Sequence, residues 1–300
     1  MTMKTIKEKI KTYNVDGVDF KITENVEKAL KMEHPNRVNL SNILSLGMYL
    51  NLIIASRGVS KTYGAKLEMI MRFITKGEKS VYVVRSGKQY DMAKVDFWGT
   101  IQQQYFPMLE LNQAGDMLLI NGLEIGFIAQ LSSPGQYNGP EYQDYSLLIF
   151  DEFIESESRR YISKTEFEGY FMRLLVSIQR DKSNFQVVLL GNNLMRFNPY
   201  FEKLGVIGCP TYYEKGLNAD VYMRLPELPD GNTLRYLLLV SSRKHTKGYK
   251  LTPVGCLMRD TGYDGMAVDN EITDIWTDND AVLEGEESQF SEREIDFYNN

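Results

Sequence analysis

Residues 49–62 read Tyr49-Leu50-Asn51-Leu52-Ile53-Ile54-Ala55-Ser56-Arg57-Gly58-Val59-Ser60-Lys61-Thr62. A mostly apolar run, a short polar turn ending in Lys-Thr, and helical spacing over Thr62–Phe73 make a strand–loop–helix unit. That is the layout of a nucleotide phosphate cradle. In such a cradle, backbone N–H groups and the N-terminus of the following helix converge on phosphate oxygens. The candidate nucleotide-binding residues are therefore Ser56, Arg57, Gly58, Val59, Ser60, Lys61 and Thr62. Lys61 would neutralise the β- and γ-phosphate oxygens of ATP, and the Thr62 hydroxyl would hold Mg2+. Arg57 adds a cation beside the loop, and Gly58 lets the backbone approach closely. Ala55 and Ser60 stand where the usual pattern has glycine. The same stretch therefore also reads as a polar turn before an amphipathic helix.

A second stretch weighs against that plainer reading. Leu147-Leu148-Ile149-Phe150-Asp151-Glu152 is an apolar strand that ends in two acids. Beside a phosphate loop, the first acid, Asp151, would hold the hydration shell of Mg2+. The second, Glu152, would orient and deprotonate an attacking water. Taken alone, it reads equally as a buried strand running into an acidic turn. A polar turn and an acidic turn account less well for the two stretches together than a shared site does. A third apolar strand, Val187–Leu190, runs into Gly191-Asn192-Asn193. Asn192 would sense the γ-phosphate or the water; an ordinary Asn-Asn turn is the other reading. Arg180, just before that strand, is a candidate for a guanidinium that reaches a neighbouring subunit's γ-phosphate; the alternative is a solvated arginine.

Around these stretches the pattern alternates. Ser80–Val84 reads as a strand, Val95–Phe106 as helix-compatible, and Phe167–Ile178 as a helix. Met117–Ile120 and Leu123–Ile128 flank Asn121-Gly122, a strong hairpin signal. The expected fold is α/β: a P-loop ATPase of the ASCE type, with a central, mostly parallel sheet flanked by helices. After about residue 208 the runs shorten between Pro and Gly. The expected division is an ATPase domain over 1–208, with 1–40 a polar, Lys-rich extension holding a short helix over Glu24–Met32. A small α+β region over 209–283 and an acidic tail over 284–300 follow.

Composition narrows the function classes. Two cysteines, Cys209 and Cys256, argue against a disulfide framework and for a reducing cytosol. No Cys/His cluster has the spacing of a zinc site. No apolar run is long enough to span a bilayer, and the amino terminus has no secretory pattern. Charge is uneven: residues 260–300 hold thirteen acids against one base, Arg293, so the whole-chain net of −6 leaves residues 1–259 net positive. A mildly basic body fits contact with a polyanion, and equally an average protein with a solvated tail.

Taken together, these stretches resemble the DNA-packaging ATPases of small tailed phages, the phi29-like DNA encapsidation proteins, relatives of large terminase motors. The resemblance is carried by Ile53–Tyr63, Phe73–Glu78, Val81–Arg85, Phe150–Ile154 and Asn198–Phe201, with a weaker match over Gly262–Asn270. It implies a homo-oligomeric ring that uses ATP and Mg2+ to push double-stranded DNA through a portal into a procapsid. That places it in the host cytoplasm and transiently at the portal vertex, with a packaging RNA as a further candidate partner. It implies Lys61 and Thr62 on ATP–Mg2+, Asp151 on Mg2+, Glu152 as catalytic base and Arg180 as the trans-acting arginine. In the family, a carboxy-terminal nuclease-like domain begins about where this chain ends, so nuclease activity is not expected.

A motor that moves any DNA grips phosphates rather than bases. The candidate contacts are Arg85, Lys88, Lys94, Arg243, Lys244 and Lys247. For each, a solvated basic face is the plainer alternative. Two further function classes stay open on sequence alone: another P-loop ATPase, such as a helicase or kinase, and a non-catalytic nucleotide-binding assembly protein.

Overall fold

The computed structural model describes residues 9–24, 26, 39–55, 60–138, 142–154, 165–192, 199–204, 211–212, 220–224 and 236–241. It opens with a hairpin of β1 (Ile10–Val15) and β2 (Val18–Thr23), turned by Asp16-Gly17 at φ 52° and 80°. Both turn residues thus lie in the left-handed region that two-residue hairpins favour. Phe20 meets Phe73 edge-to-face at 5.8 Å, which fastens the hairpin to the body. Part of the stretch read as a polar extension is therefore folded structure. The helix expected over Glu24–Met32 lies largely outside the described residues.

The remaining strands are β3 (Leu50–Ala55), β4 (Lys79–Val84), β5 (Leu111–Ala114), β6 (Met117–Ile120), β7 (Leu123–Gln130), β8 (Tyr145–Asp151), β9 (Gln186–Gly191), β10 (Thr211–Tyr212), β11 (Asp220–Arg224) and β12 (Tyr236–Ser241). They form one sheet in the order β10-β11-β12-β3-β9-β8-β4-β7-β6-β5. From β12 to β7 every pairing is parallel, and both edges are antiparallel. The helices are α1 (Leu40–Leu44), α2 (Lys61–Lys76), α3 (Gly87–Val95), α4 (Ile101–Tyr105), α5 (Met172–Gln179, preceded by a π-helical turn over Glu166–Phe171) and α6 (Pro199–Leu204).

Alternation along the central strands builds two cores. Ile53, Tyr82, Ile149 and Leu190 face α2, where Leu67, Ile70 and Phe73 cover them. Their neighbours Ile54, Val83, Phe150 and Leu189 face the opposite way, against Phe171, Leu174 and Ile178. Strands buried on both faces need crossover helices on both sides, which is why they read as near-continuous apolar runs.

Two expectations change. The helix read over Val95–Phe106 is instead α3 and α4, with a break at Asp96–Thr100 where Gly99 takes φ 53°. Helix α3 starts earlier because Ser86 and Gln89 close a reciprocal capping box at its N-terminus. The boundary expected near residue 208 does not end the sheet. β12 pairs in parallel with β3, because the open edge of a buried strand needs a hydrogen-bonding neighbour. Residues 242–300, with the acidic tail, lie outside the described residues.

Candidate nucleotide site

In an open parallel sheet, ligands bind beyond the carboxyl ends of the strands. Here β3, β9 and β8 bring Ser60–Thr62, Asn192 and Asp151–Glu152 to that edge. β9 lies between the other two strands, so Asn192 emerges between the lysine and the acid pair. The chain leaves β8 by a sharp hook. Asp151 ends the strand, Glu152 turns with φ 57°, and the Phe153 N–H donates to the Leu190 carbonyl at 3.0 Å. Gly191 makes room for that hook: a Cβ there would stand 2.8 Å from the Phe153 ring and 2.9 Å from Ile154.

Ser60 takes φ 57° and ψ 33°, the left-handed conformation that glycine would supply at this position. Helix α2 then starts at Lys61 and runs sixteen residues, which points the positive end of its dipole at the site. Thr62 Oγ1 donates to Asp151 Oδ2 at 2.8 Å. Lys61 Nζ donates to Asn192 Oδ1 at 2.8 Å and to the Ala55 carbonyl at 2.7 Å. Stretches separated by about ninety and one hundred and thirty residues thus meet at one point. Ser56, Arg57, Gly58 and Val59 lie outside the described residues.

The start of α2, the 96–101 segment and the carboxyl ends of β8 and β9 line a cavity of about 630 Å3. Three residues not singled out in the sequence support the site: Lys66 lines the cavity, and Tyr82 and Gln89 bond its acids. Tyr82 on β4 donates its hydroxyl to Asp151 Oδ2 at 2.5 Å. Burial, and then the Asp151 charge, raises the Tyr82 pKa well above the ordinary phenol value, so the hydroxyl keeps its proton at neutral pH. Lys66, one turn along α2 from Thr62, donates to the Phe97 carbonyl at 2.5 Å and lies 4.3 Å from the Phe97 ring centroid. Burial lowers the Lys66 pKa, opposed by the charges of Asp151 and Asp96. Gln89 Nε2 donates to Glu152 Oε2 at 3.0 Å. Its Oε1 accepts from the Ser86 amide at 3.1 Å, so one side chain joins the start of α3 to the acid. The Ser-x-x-Gln spacing after a strand was a legible signal for Gln89, and the i, i+4 spacing from Thr62 was one for Lys66. Tyr82 carried none: Val-Tyr-Val-Val reads as strand.

The proposed DNA contacts divide. Arg85 faces inward. Its guanidinium bonds Glu166 at 3.2 Å and the Phe153 carbonyl at 2.5 Å, and its side chain is only 14% exposed. That half-buried guanidinium is committed to Glu166 and the Phe153 carbonyl, which weighs against the reading of Arg85 as a DNA contact. It clamps the chain just beyond Glu152 instead. Lys88 and Lys94 are exposed on α3. Arg243, Lys244 and Lys247 lie outside the described residues. Arg180 follows α5 at φ 51°, ψ −121°, and its charge acts on Tyr142 at the amino end of β8. Since β9 spans about 20 Å, Arg180 lies far from the Asn192 end of its own chain.

The donor set fits the ligands the sequence suggested. A hydroxyl and a carboxylate are the hard oxygen donors that Mg2+ takes. A lysine at a helix N-terminus suits a triphosphate. Sheet order and site together define an α/β protein with a candidate nucleotide site at the carboxyl edge of a mostly parallel sheet. Residues 32–293 match the Podovirus DNA encapsidation protein (Gp16) family, and the chain belongs to that family of phage DNA-packaging ATPases. It is 28% identical over 242 residues to a DNA packaging protein of Bacillus phage B103, covering 81% of this chain and 69% of the relative. With a DNA packaging protein of Bacillus phage phi29 it shares 30% over 235 residues, covering 78% and 65%. The chain thus spans about two thirds of the length of these relatives. The crystal structure of the N-terminal domain of the DNA packaging ATPase from bacteriophage phi29 superposes with a TM-score of 0.55. That match has 26% identity and covers 68% of this chain and 96% of that domain.

Proposed function

We propose that this protein works in a homo-oligomeric ring at a procapsid portal and moves double-stranded DNA into the capsid by hydrolysing ATP between subunits. The observation that carries the reading is the 2.8 Å bond from Thr62 to Asp151, which sets a helix N-terminus and a carboxylate around one point. Lys61 and Thr62 hold the triphosphate, and Thr62 and Asp151 hold Mg2+. The metal, when bound, offsets charge on the β- and γ-phosphate oxygens. Glu152 takes the proton from the attacking water, with Gln89 orienting its carboxylate. Asn192 exchanges its Lys61 bond for one to the γ-phosphate or the water. Arg180 serves the neighbouring subunit's site, because it stands at the opposite end of the sheet from its own. Lys88 and Lys94 are the described candidates for holding the DNA backbone, and a packaging RNA is a further candidate partner.

ATP turnover measured with and without long duplex DNA tests the reading; stimulation is expected. Glu152→Gln abolishes turnover and leaves ATP binding intact. Arg180→Ala also stops turnover, and mixing the two variants restores part of it, since each supplies the group the other lacks. Full activity in Glu152→Gln would remove that residue from its role. Absence of rescue in the mixture would sink the trans arginine.

A further inference from the structure

Tyr82 brings a polar group into a largely apolar sheet face, where Ser80 is the other hydroxyl on the same side of β4. Strand β4 reads Lys-Ser-Val-Tyr-Val-Val, and Tyr82, 4% exposed, lies among apolar neighbours that cover α2. Its ring meets Phe97 edge-to-face at 4.8 Å. A phenylalanine would fill that place as well. What tyrosine adds is one hydroxyl, bonded to the carboxylate that the reading above assigns to Mg2+. A buried hydroxyl without a partner is costly, so the position is tied to Asp151 being where it is.

The bonds around Asp151 define what the hydroxyl does. A carboxylate offers about four lone-pair positions on its two oxygens. Oδ2 accepts from Tyr82 at 2.5 Å and from Thr62 at 2.8 Å, and Oδ1 accepts from the Glu152 amide at 3.1 Å. The two donors on Oδ2 come from different elements, β4 and α2. They hold the torsion of the carboxylate, and Asp151 itself lines the cavity. With Thr62 as the only donor on Oδ2, the carboxylate could swing about its Cβ–Cγ bond.

We infer that Tyr82 is a positioning residue for the metal: its hydroxyl locks the Asp151 carboxylate against Thr62 and so sets how tightly the nucleotide-bound protein holds a divalent cation. The inference rests on the assignment of Thr62 and Asp151 to Mg2+. Partners that orient metal-holding groups typically contribute about ten- to hundredfold in affinity or activity.

The test is Mn2+ binding to the full chain in the presence of ADP, followed by electron paramagnetic resonance. Four proteins are compared: wild type, Tyr82→Phe, Asp151→Ala and the double variant. Tyr82→Phe keeps the ring against Phe97, and its thermal melt is expected to match wild type. In the wild-type background Tyr82→Phe weakens Mn2+ binding by about ten- to hundredfold; in the Asp151→Ala background it changes little, because the group it acts through is gone. Unchanged Mn2+ affinity in Tyr82→Phe, or an equal loss in both backgrounds, would overturn the inference while leaving the site intact. Unchanged affinity in Asp151→Ala would overturn the site assignment itself, and the inference with it.

Discussion

Three non-glycine residues outside the hairpin turns adopt backbone conformations that side chains normally avoid. Ser60, Glu152 and Arg180 have φ of 57°, 57° and 51°. Such positions cost on the order of 1–3 kcal/mol each and persist where the surroundings hold them. At Ser60 the strain bends the chain into α2, and at Glu152 it hooks the acid over the end of β9. Arg180, with ψ −121°, occupies a region that suits glycine. Arg180→Gly is therefore expected to raise stability by about 1 kcal/mol in urea denaturation while it abolishes turnover. Stability and activity moving in opposite directions would mark the arginine as held for function; a loss of both would mark it as a structural residue.

Among the elements, β4 does the most positioning. It carries Tyr82 to Asp151, leads through Arg85 to Glu166 and Phe153, and continues through the Ser86–Gln89 cap to Glu152. Its place beside β7 depends on Gly126, where a Cβ would stand 2.0 Å from the Ser80 carbonyl oxygen. Gly126→Ala should destabilise the protein by about 2–3 kcal/mol through forced separation of the two strands. A urea midpoint indistinguishable from wild type would show that the pair gives way without cost. The hairpins were legible at this scale, because Asn-Gly and Asp-Gly pairs tolerate positive φ at both turn residues. The Asn121-Gly122 turn falls where the sequence puts it, and the Asp16-Gly17 turn carries the same signal inside a Lys-rich stretch. The π-helical turn before α5 has no comparable mark; its Phe167 and Phe171 pack in a ring cluster with Phe150 and Tyr200.

For the whole molecule, tyrosines with raised pKa values bear on the alkaline limit: five are buried and Tyr90 is half-buried. Tyr82, Tyr90, Tyr137, Tyr142, Tyr145 and Tyr200 all have raised pKa values, with burial the largest cause, and Tyr90 reaches about 12. An unfolded tyrosine ionises near pH 10, so above that pH the unfolded chain releases protons that the folded one retains. The stability these groups contribute is complete below pH 10 and is lost as pH rises through the folded-state values. Unfolding should therefore set in above about pH 10, with tyrosinate absorbance and loss of helix signal rising together. Tyrosinate appearing well before any loss of structure would contradict that linkage. No helix among the described residues is long and apolar enough to cross a membrane.

The sequence by itself determined the local pieces: two-sided apolar strands, the Lys-Thr start of α2, the Asp-Glu at the end of β8 and the asparagine after β9. Each is written in a short window, where periodicity and turn chemistry act over a few residues. Only the tertiary structure decided the strand order that sets β9 between β3 and β8, the addition of β12 to the edge beyond residue 208, and the inward commitment of Arg85. It alone brought Tyr82 to Asp151. Those outcomes depend on which surfaces bury one another across a hundred residues or more, a contest of packing and hydrogen-bond satisfaction that leaves no mark on neighbouring letters.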